Sequence, residues 1–540
     1  DYTIQKDSRY YNPLSSAGPK SGSDAQTAKG FIEYGKLISS TSLNYVRTFA
    51  RKHHLDVLAA YEIESYQTDH ASGEKSKLPS DKLTEPDNAA VLNSFKSATQ
   101  AYRMISYLSR LNYDYDDRYY IAGSYRRDGS SRLSPNNRWG NFWSVSGMWH
   151  LGNENFMKAV KPVLSDVKIR ASYGVNGNQP GSYYGYKGLY SYGENYMEAA
   201  GSYESAQPND LLTWEKNYSL NLGIDLSFIN RIFASLEYYN RDTKDLLYSL
   251  PISATTGFTS YLSNIGRLNN KGVEFELRTL NVVSNDFNWT SVFNLSHNRN
   301  KIVSLNGLLD QTIEGTWFIH KVGLPYHTFY VKEFAGVDPL TGSAQYYLNT
   351  KNEDGSYNRE LTTDAAKAES IPYKTATPKV SGGFTNILNY KWIDLTFTLT
   401  YSLGGYSFDK LGTYIENGSS SIYSSRYNLP AYMMNRWQKP GDQTDTPRFV
   451  YGEPATSTNS SRYIHSTDHL RLKNFTLGFT LPNQWTQKLM IDKVRVYFSG
   501  NNLLTWAKWK QYDPETPVNG EVFCEAPAMR TFSFGAQLSF

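Results

Sequence analysis

Apolar and polar residues alternate along many segments of this chain, with the period of two that places successive side chains on opposite faces of a β-strand. The clearest alternation runs from residue 393 to residue 403, and another closes the chain at 530–540. In the closing strand one face carries Phe532, Phe534, Ala536, Leu538 and Phe540. About nine to eleven residues suffice for a tilted strand to cross a bilayer. The pattern predicts an all-β protein whose strands could border either lipid or a soluble core.

The lengths of the connections between these strands alternate between short and long. Residues 114–117 and 391–392 form short turns, whereas 67–100, 305–378 and 404–468 are long polar loops. Outer-membrane barrels have short periplasmic turns and long extracellular loops, and a soluble sandwich has no reason to place its long loops at one end. We therefore predict a transmembrane antiparallel β-barrel.

The number of strands bears on which part of a barrel is present. The alternation predicts about fifteen strands, preceded by an extracellular loop at 1–36, with 37–540 forming the C-terminal part of the barrel. Bacterial single-chain barrels have even strand numbers. If the last strand ends on the periplasmic side, an odd count places the start of the first strand outside the cell. We therefore expect the chain to be a fragment that lacks the first barrel strands.

Composition narrows the class of protein further. The 540 residues include 44 tyrosines and have an aromatic content of 15%, which suits the interfacial girdles of a barrel but would also suit a sugar-binding protein. No apolar run approaches the roughly eighteen residues of a membrane helix. The net charge of +4 is too balanced to indicate a nucleic-acid partner. The single cysteine, Cys524, rules out an internal disulfide framework.

Several short motifs occur in order along the chain. They include RRDGSSR at 126–132, NKGVEFE at 270–276, GVDP at 336–339, LRLKN at 470–474, GNNLLT at 500–505 and YDPE at 512–515. Together they resemble the SusC/RagA family of TonB-dependent outer-membrane transporters. The resemblance covers nearly the whole chain, but the N-terminal extension, the plug domain and the early barrel strands of that family are absent from it.

The resemblance implies a bacterial outer-membrane barrel of about 22 strands, surrounded by outer-membrane lipid. It implies active import driven by the TonB–ExbB–ExbD system through the missing plug, with a SusD-like surface lipoprotein closing over the mouth. Substrates of the family are mostly oligosaccharides and in some members peptides, and the transporter–lipoprotein pair can form a homodimer. No enzyme activity and no cofactor are implied. A passive porin or a surface adhesin remains the alternative from another functional class.

Aromatic side chains in the long loops are the candidate substrate-binding residues. Flat rings with a polar tip stack on sugar faces and donate hydrogen bonds. The candidates are Tyr183, Tyr184, Tyr186, Tyr190, Trp317, Tyr406, Trp437, Trp506 and Trp509. The plainer interpretation is that such rings pack loops together or form the girdle, and for any single ring it is the favoured one.

Charged residues provide weaker candidates. Acidic and basic side chains on the polar faces of strands, such as Glu64, Arg170 and Arg495, could hold a plug, although in a polar lumen they are ordinary solvated residues. Asp513 and Glu515 have the spacing of a two-carboxylate hydrolase, but the loop motif YDPE explains them better. No histidine spacing indicates a metal site.

Overall fold

A computed structural model describes residues 1–12, 25–80, 82–305, 311–315, 317–416, 428–450, 459–486, 491–515 and 519–539. These residues form thirty strands and a few short helices. The prediction of an all-β protein is confirmed. No helix within these ranges is long and apolar enough to span a membrane.

The strands of the first half are β1 (Tyr2–Tyr11), β2 (Gln26–Phe49), β3 (His53–Ser76), β4 (Val91–Tyr115), β5 (Tyr119–Ser130), β6 (Trp139–His150), β7 (Leu164–Asn178), β8 (Leu189–Tyr192), β9 (Ser202–Ala206), β10 (Glu215–Phe228), β11 (Ile232–Lys244), β12 (Leu247–Pro251), β13 (Ser260–Asn264), β14 (Arg267–Val283) and β15 (Phe287–Ser304). Those of the second half are β16 (Gln311–Glu314), β17 (Phe318–Lys321), β18 (Thr328–Lys332), β19 (Phe334–Val337), β20 (Ala344–Tyr347), β21 (Leu361–Thr362), β22 (Ser370–Thr375), β23 (Val380–Tyr390), β24 (Ile393–Leu403), β25 (Tyr406–Asp409), β26 (Ile464–Ser466), β27 (His469–Thr480), β28 (Lys493–Ala507), β29 (Glu521–Val522) and β30 (Thr531–Ser539). The helices are α1 (Gly412–Ile415), α2 (Asn483–Thr486) and 3-10 turns at Pro86–Asn88, Leu151–Asn153, Asn155–Ala159, Ala254–Thr256, Ala431–Asn435 and Ser461–Tyr463.

One large sheet contains sixteen of these strands. Their hydrogen-bonded order is β1-β2-β3-β4-β5-β6-β7-β10-β11-β14-β15-β23-β24-β27-β28-β30. Each strand therefore pairs with the large-sheet strands that precede and follow it in the chain, and pairs such as β2–β3 and β28–β30 run antiparallel. Small sheets in the long connections are formed by β8–β9, β12–β13, β16-β17-β18-β22, β19-β20-β21 and β26-β25-β29.

The predicted loop at 1–36 is wrong. β1 occupies residues 2–11 and pairs along its whole length with β2, which begins at Gln26 rather than near residue 37. Residues 13–24 lie outside the described part of the chain. The strand was missed because most of its side chains are polar, and backbone hydrogen bonds hold a strand together whatever its side chains are.

The additional strand changes the count from about fifteen to sixteen. Because sixteen is even, the parity argument that we built on an odd number fails. Phe540, the last residue of the predicted closing strand, lies outside the described residues, and β30 is described as far as Ser539.

The predicted loop at 67–100 is also largely strand. β3 continues to Ser76, β4 begins at Val91, and the two pair from His53 and Tyr115 up to Ser76 and Val91. At about 3.4 Å per residue, 24 residues are far longer than a membrane crossing requires. The polar ends of these strands extend beyond the apolar band, so their sequence lost the alternation on which the prediction relied.

The chain divides into two compact units. The first comprises Asp1–Met148, Ser172–Ser219 and Thr243–Ile265. Its buried core contains Leu133, Phe142, Leu212 and Trp214. It underlies the loop that carries the predicted tyrosines.

The second unit comprises Trp149–Ala171, Leu220–Asp242 and Gly266–Phe540. Its largest buried core is built from Phe318, Phe329, Val331, Ala376, Phe408, Tyr463 and Ile464. Most of these residues belong to the small sheets, so the long connections of this unit are folded modules with a core of their own.

Candidate functional site

Aromatic rings and an arginine form a compact cluster in the first unit. The ring of Tyr183 stacks on Tyr102 with 5.5 Å between centroids, and Tyr66 stacks on the same Tyr102 at 5.3 Å. The guanidinium of Arg132 lies 4.0 Å from the Tyr102 ring centroid and 4.5 Å from that of Tyr183. A cation held against two rings is a favourable arrangement that fixes both of them. Tyr183 thus packs against Tyr102 and Arg132.

Hydrogen bonds tie this cluster to the neighbouring backbone. Arg132 Nη1 donates to the carbonyl of Pro180 at 3.0 Å, and the Tyr102 hydroxyl donates to Glu64. The hydroxyl of Tyr184 accepts the backbone N–H of Ala101 at 3.1 Å. Since these groups bond within the protein, the loop beginning at residue 180 is held on strand β4.

The remaining two tyrosines of this loop differ from each other. Tyr186 packs against the buried core of the first unit. Tyr190 lies on the β8–β9 hairpin and is 60% exposed, and its neighbours Tyr192 and Tyr196 are also exposed. Among the tyrosines predicted in this loop, Tyr190 therefore has the ring most accessible to a ligand.

Trp317 and Tyr406 meet in one core of the second unit. The ring of Trp317 stacks on the buried Phe408 with 4.7 Å between centroids and an interplanar angle of 14°. Tyr406 packs against the same core. The ammonium of Lys410 lies 5.2 Å from the Trp317 ring centroid. Both predicted residues thus join small sheets β16-β17-β18-β22 and β26-β25-β29.

Trp437 fastens the segment 428–450 to the hairpin around Gly342. Its Nε1 donates to the carbonyl of Pro339 at 3.0 Å. Gly342 has φ +73°, and a Cβ at this position would lie 2.3 Å from the Trp437 ring. Glycine is therefore favoured here for two reasons: its backbone adopts the left-handed conformation without strain, and it has no Cβ to clash with the ring. The motif GVDP and the Trp437 region, far apart in sequence, are partners in the structure.

An arginine near the start of β27 organises the motif YDPE. Arg471, 3% exposed in its side chain, donates to Asp513 and, at 2.9 Å, to Glu515. Lys473 Nζ reaches Glu515 at 2.5 Å. Asp513 also accepts the backbone N–H of Glu515 at 3.0 Å and that of Ala528 at 2.8 Å. The motifs LRLKN and YDPE thus form one ionic network that closes the 508–530 connection on itself.

This network disfavours acid–base chemistry at the two carboxylates. Burial by itself would raise the pKa of Asp513, but the Arg471 guanidinium and the two backbone N–H groups hold that pKa below its usual value. A general acid needs a raised pKa. The pair therefore has a structural explanation.

Trp506 and Trp509 line a cavity of about 750 Å³ in the second unit. Trp509 is 5% exposed and stacks on His465 with 4.5 Å between centroids. Burial and the nearby Arg462 lower the pKa of His465 to about 4. Trp506 is 53% exposed and stands opposite Leu470, on the strand face away from that of Arg471. Trp506 thus combines an exposed ring with a cavity wall.

The charged residues on the polar strand faces are paired. Arg170 lies 3.3 Å from Asp225 and 3.0 Å from Glu237, and Arg495 Nε donates to Asp394 at 2.9 Å. These pairs match the plainer interpretation of lumen charges. In the ranges that the structure describes, no group of three or more histidine, cysteine, aspartate or glutamate residues could hold a metal ion.

Sequence analysis missed the residues that hold the candidate rings in place. Arg132, Tyr102 and Tyr66 anchor Tyr183, and Arg471 anchors the 508–530 connection. Their only sequence signals were the motifs RRDGSSR and LRLKN, which indicate a family but not a contact. Which of the nine predicted aromatics contact a substrate stays a prediction.

Comparisons with known proteins agree with one another. The family model for the β-barrel of TonB-dependent receptor-like proteins matches residues 1–503. TonB-dependent receptor P3 of Formosa agariphila is 31% identical over 536 residues, which cover 93% of this chain and 52% of that protein. TonB-dependent receptor SusC of Bacteroides thetaiotaomicron is 31% identical over 501 residues, which cover 87% of this chain and 47% of that protein.

Among solved structures, the RagAB peptide transporter matches with a TM-score of 0.88 and 28% identity, covering 100% of this chain and 59% of the matched one. The chain thus spans about half the length of the curated relatives it matches. The predicted barrel fold, the outer-membrane location and the SusC/RagA resemblance are confirmed. The chain belongs to the TonB-dependent receptor β-barrel family, in its SusC/RagA branch, and is an outer-membrane β-barrel protein.

Proposed function

We propose that the protein to which this chain belongs imports oligosaccharides actively across the outer membrane, energised by TonB–ExbB–ExbD and assisted by a SusD-like lipoprotein lid. The observation that carries the import proposal is the architecture of the long connections. They are folded modules with their own cores, held by Arg471, Trp437 and Arg132, rather than open loops around a pore. Rigid modules position binding groups better than mobile loops, which favours a selective importer over a passive porin.

The oligosaccharide proposal is supported by the accessible tyrosines. Tyr190, Tyr192 and Tyr196 expose their rings on the β8–β9 hairpin, where stacking on sugar faces is sterically open. Trp506 adds an exposed ring beside the 750 Å³ cavity. The ring of Trp509 is buried, and those of Tyr183 and Trp317 are half-buried with one face stacked on a protein ring. These positions weaken the original argument, because a ring face that packs against the protein cannot stack on a sugar unless the loops rearrange.

A peptide is the second candidate substrate. The specific observation in its favour is the likeness to the RagAB peptide transporter, which extends over the whole chain at 28% identity. Charged groups at the 750 Å³ cavity, such as Lys510, Glu525 and Arg530, would suit the charged termini of a short peptide.

Uptake measurements in cells that carry the full-length protein test the import proposal. We expect that deletion of TonB abolishes uptake of the substrate while surface binding persists. Uptake that is unchanged without TonB would contradict the proposal and favour a passive porin, and adhesion without any uptake would favour an adhesin.

Ring substitutions then test the substrate class. Changing Tyr190, Tyr192 and Tyr196 together to Ala should weaken oligosaccharide binding, while the matched change to Phe should preserve most of it because stacking is retained. Each lost stacking contact corresponds to about a tenfold change in affinity. Equal oligosaccharide binding by both triple variants would contradict the stacking proposal. Selective binding of short peptides instead would establish the second candidate.

A further inference from the structure

The two faces of strand β4 are distinguished by their contacts. Tyr102 and Ser106 are buried, and their hydroxyls bond to Glu64 and Arg126. Successive residues of a strand point to opposite faces. Arg103 and Tyr107 therefore project from the other face, and both are exposed. In a membrane barrel this exposed face borders lipid.

An aromatic strip crosses the lipid-facing side at this level. Tyr61 and Tyr107 are directly paired and their ring centroids are 5.3 Å apart. Trp139 stacks on Tyr107 at 6.2 Å and 25°. A Cβ on Gly129 would lie 2.8 Å from the Trp139 ring. The indole can therefore pack against the sheet at this position only because residue 129 is a glycine. Aligned tyrosine and tryptophan rings mark the level of a membrane–water interface.

Two arginines lie on this exposed side, one at the level of the rings and one further along the strand. The guanidinium of Arg127 lies 5.0 Å from the Trp139 ring centroid, and Arg127 stands opposite Tyr107 in the ladder. Arg103 is four residues from Tyr107, roughly 14 Å along the strand. Within the described part of the chain neither guanidinium has a carboxylate partner, and the carboxylate of Asp69, on β3, accepts instead from Thr99 and Gln67.

From this placement we propose that Arg103 and Arg127, with Trp139 as a platform, bind the phosphates of one lipid headgroup in the outer leaflet. Arg127 is held over Trp139 and Arg103 is exposed on the same face, and two cations at the edge of an apolar surface match an anion at headgroup depth. A guanidinium binds phosphate through two parallel hydrogen bonds. The stacking of Arg127 on Trp139 restricts its orientation in advance and so lowers the entropy lost on binding. The site is independent of the transported substrate.

The test uses the full-length protein in detergent, incubated with purified lipid A that carries its phosphates, and counts retained lipid by native mass spectrometry. Arg103→Gln combined with Arg127→Gln should lower lipid retention about tenfold or more. Arg103→Lys with Arg127→Lys should retain more lipid than the glutamine pair, because the charge remains. A difference in gel migration between unheated and heated samples will show that each barrel is folded.

A matched control residue, Arg47, lies near the C-terminal end of β2. Arg47 is exposed and its guanidinium lies 4.9 Å from the Phe49 ring centroid. Arg47→Gln removes a comparable cation, and lipid retention should stay at the wild-type level. A loss equal to that of the double variant would overturn the proposal, since it would show a general charge effect.

Two further arms separate the sources of phosphate. Lipid A stripped of its phosphates should be retained equally and weakly by the wild type and by the glutamine pair. Inorganic phosphate at millimolar concentration should fail to displace the intact lipid. Strong retention of the stripped lipid, displacement by inorganic phosphate alone, or unchanged retention by the glutamine pair would each overturn the assignment to a lipid phosphate.

Discussion

Replacement of Arg471 offers the sharpest test of how the 508–530 connection is held. Arg471→Gln leaves a shorter polar side chain without a charge. It removes the hydrogen bonds to Asp513 and Glu515, and it strips the main charge partner from Asp513, which is itself only 16% exposed in its side chain. We expect the connection to open locally while the barrel strands remain paired.

The magnitude follows from burial. Removing one partner of a buried ion pair costs about 3–5 kcal/mol. The side chain of Glu515 is 29% exposed and keeps Lys473, so the lower end of that range applies. About 3 kcal/mol corresponds to roughly a hundredfold rise in the population of the open state.

Hydrogen exchange of the purified full-length protein in detergent measures this directly. Amides of residues 508–515 and 519–530 should exchange about a hundredfold faster in Arg471→Gln, whereas those of β23 and β24 should be unchanged. In Arg471→Gln combined with Asp513→Asn the buried charge is gone from both sides, and protection should be partly restored. Exchange in Arg471→Gln within about threefold of the wild type would refute the network as the anchor.

Two other predictions concern the modules of the second unit. Gly342→Ala should make the segment 428–450 sensitive to limited proteolysis, because the new Cβ would lie 2.3 Å from the Trp437 ring. The control variant is Gly355→Ala, at a position with φ +83° and open space around it. It should cost only backbone strain of about 1 kcal/mol. Equal cleavage of both variants would contradict the ring contact. Burial raises the pKa of Asp409 to about 6. The folded state therefore holds this proton more tightly than the unfolded chain, and stability falls as the pH rises from about 4 to about 6 and is flat above that. Asp409→Asn can keep the 2.7 Å hydrogen bond from the Gly412 N–H and should stabilise this module by up to about 3 kcal/mol above that pH and by little below about pH 4. Thermal unfolding across this pH range checks the prediction, and a stability gain at low pH alone would oppose it.

The candidate site shows where sequence reasoning stopped. Residue type and loop position selected Tyr183, Trp317 and Trp437 as ligand-binding rings, because stacking on a sugar and stacking on a protein ring require the same side chain. The structure places these three against Tyr102, Phe408 and Gly342. Such partners are distant in sequence, and no periodicity reports them.

The sequence by itself determined the all-β class, the membrane-spanning strands and the family. Lipid imposes strict alternation on segments such as 393–403, and the motifs are local strings of residues. It misjudged β1 and the upper parts of β3 and β4, where strands leave the membrane and polar residues suffice on both faces. Only the tertiary structure decided that Arg471 meets Asp513 and that Arg127 and Arg103 share a lipid-facing surface. These contacts depend on strand register and loop closure, which bring together residues that no local pattern relates.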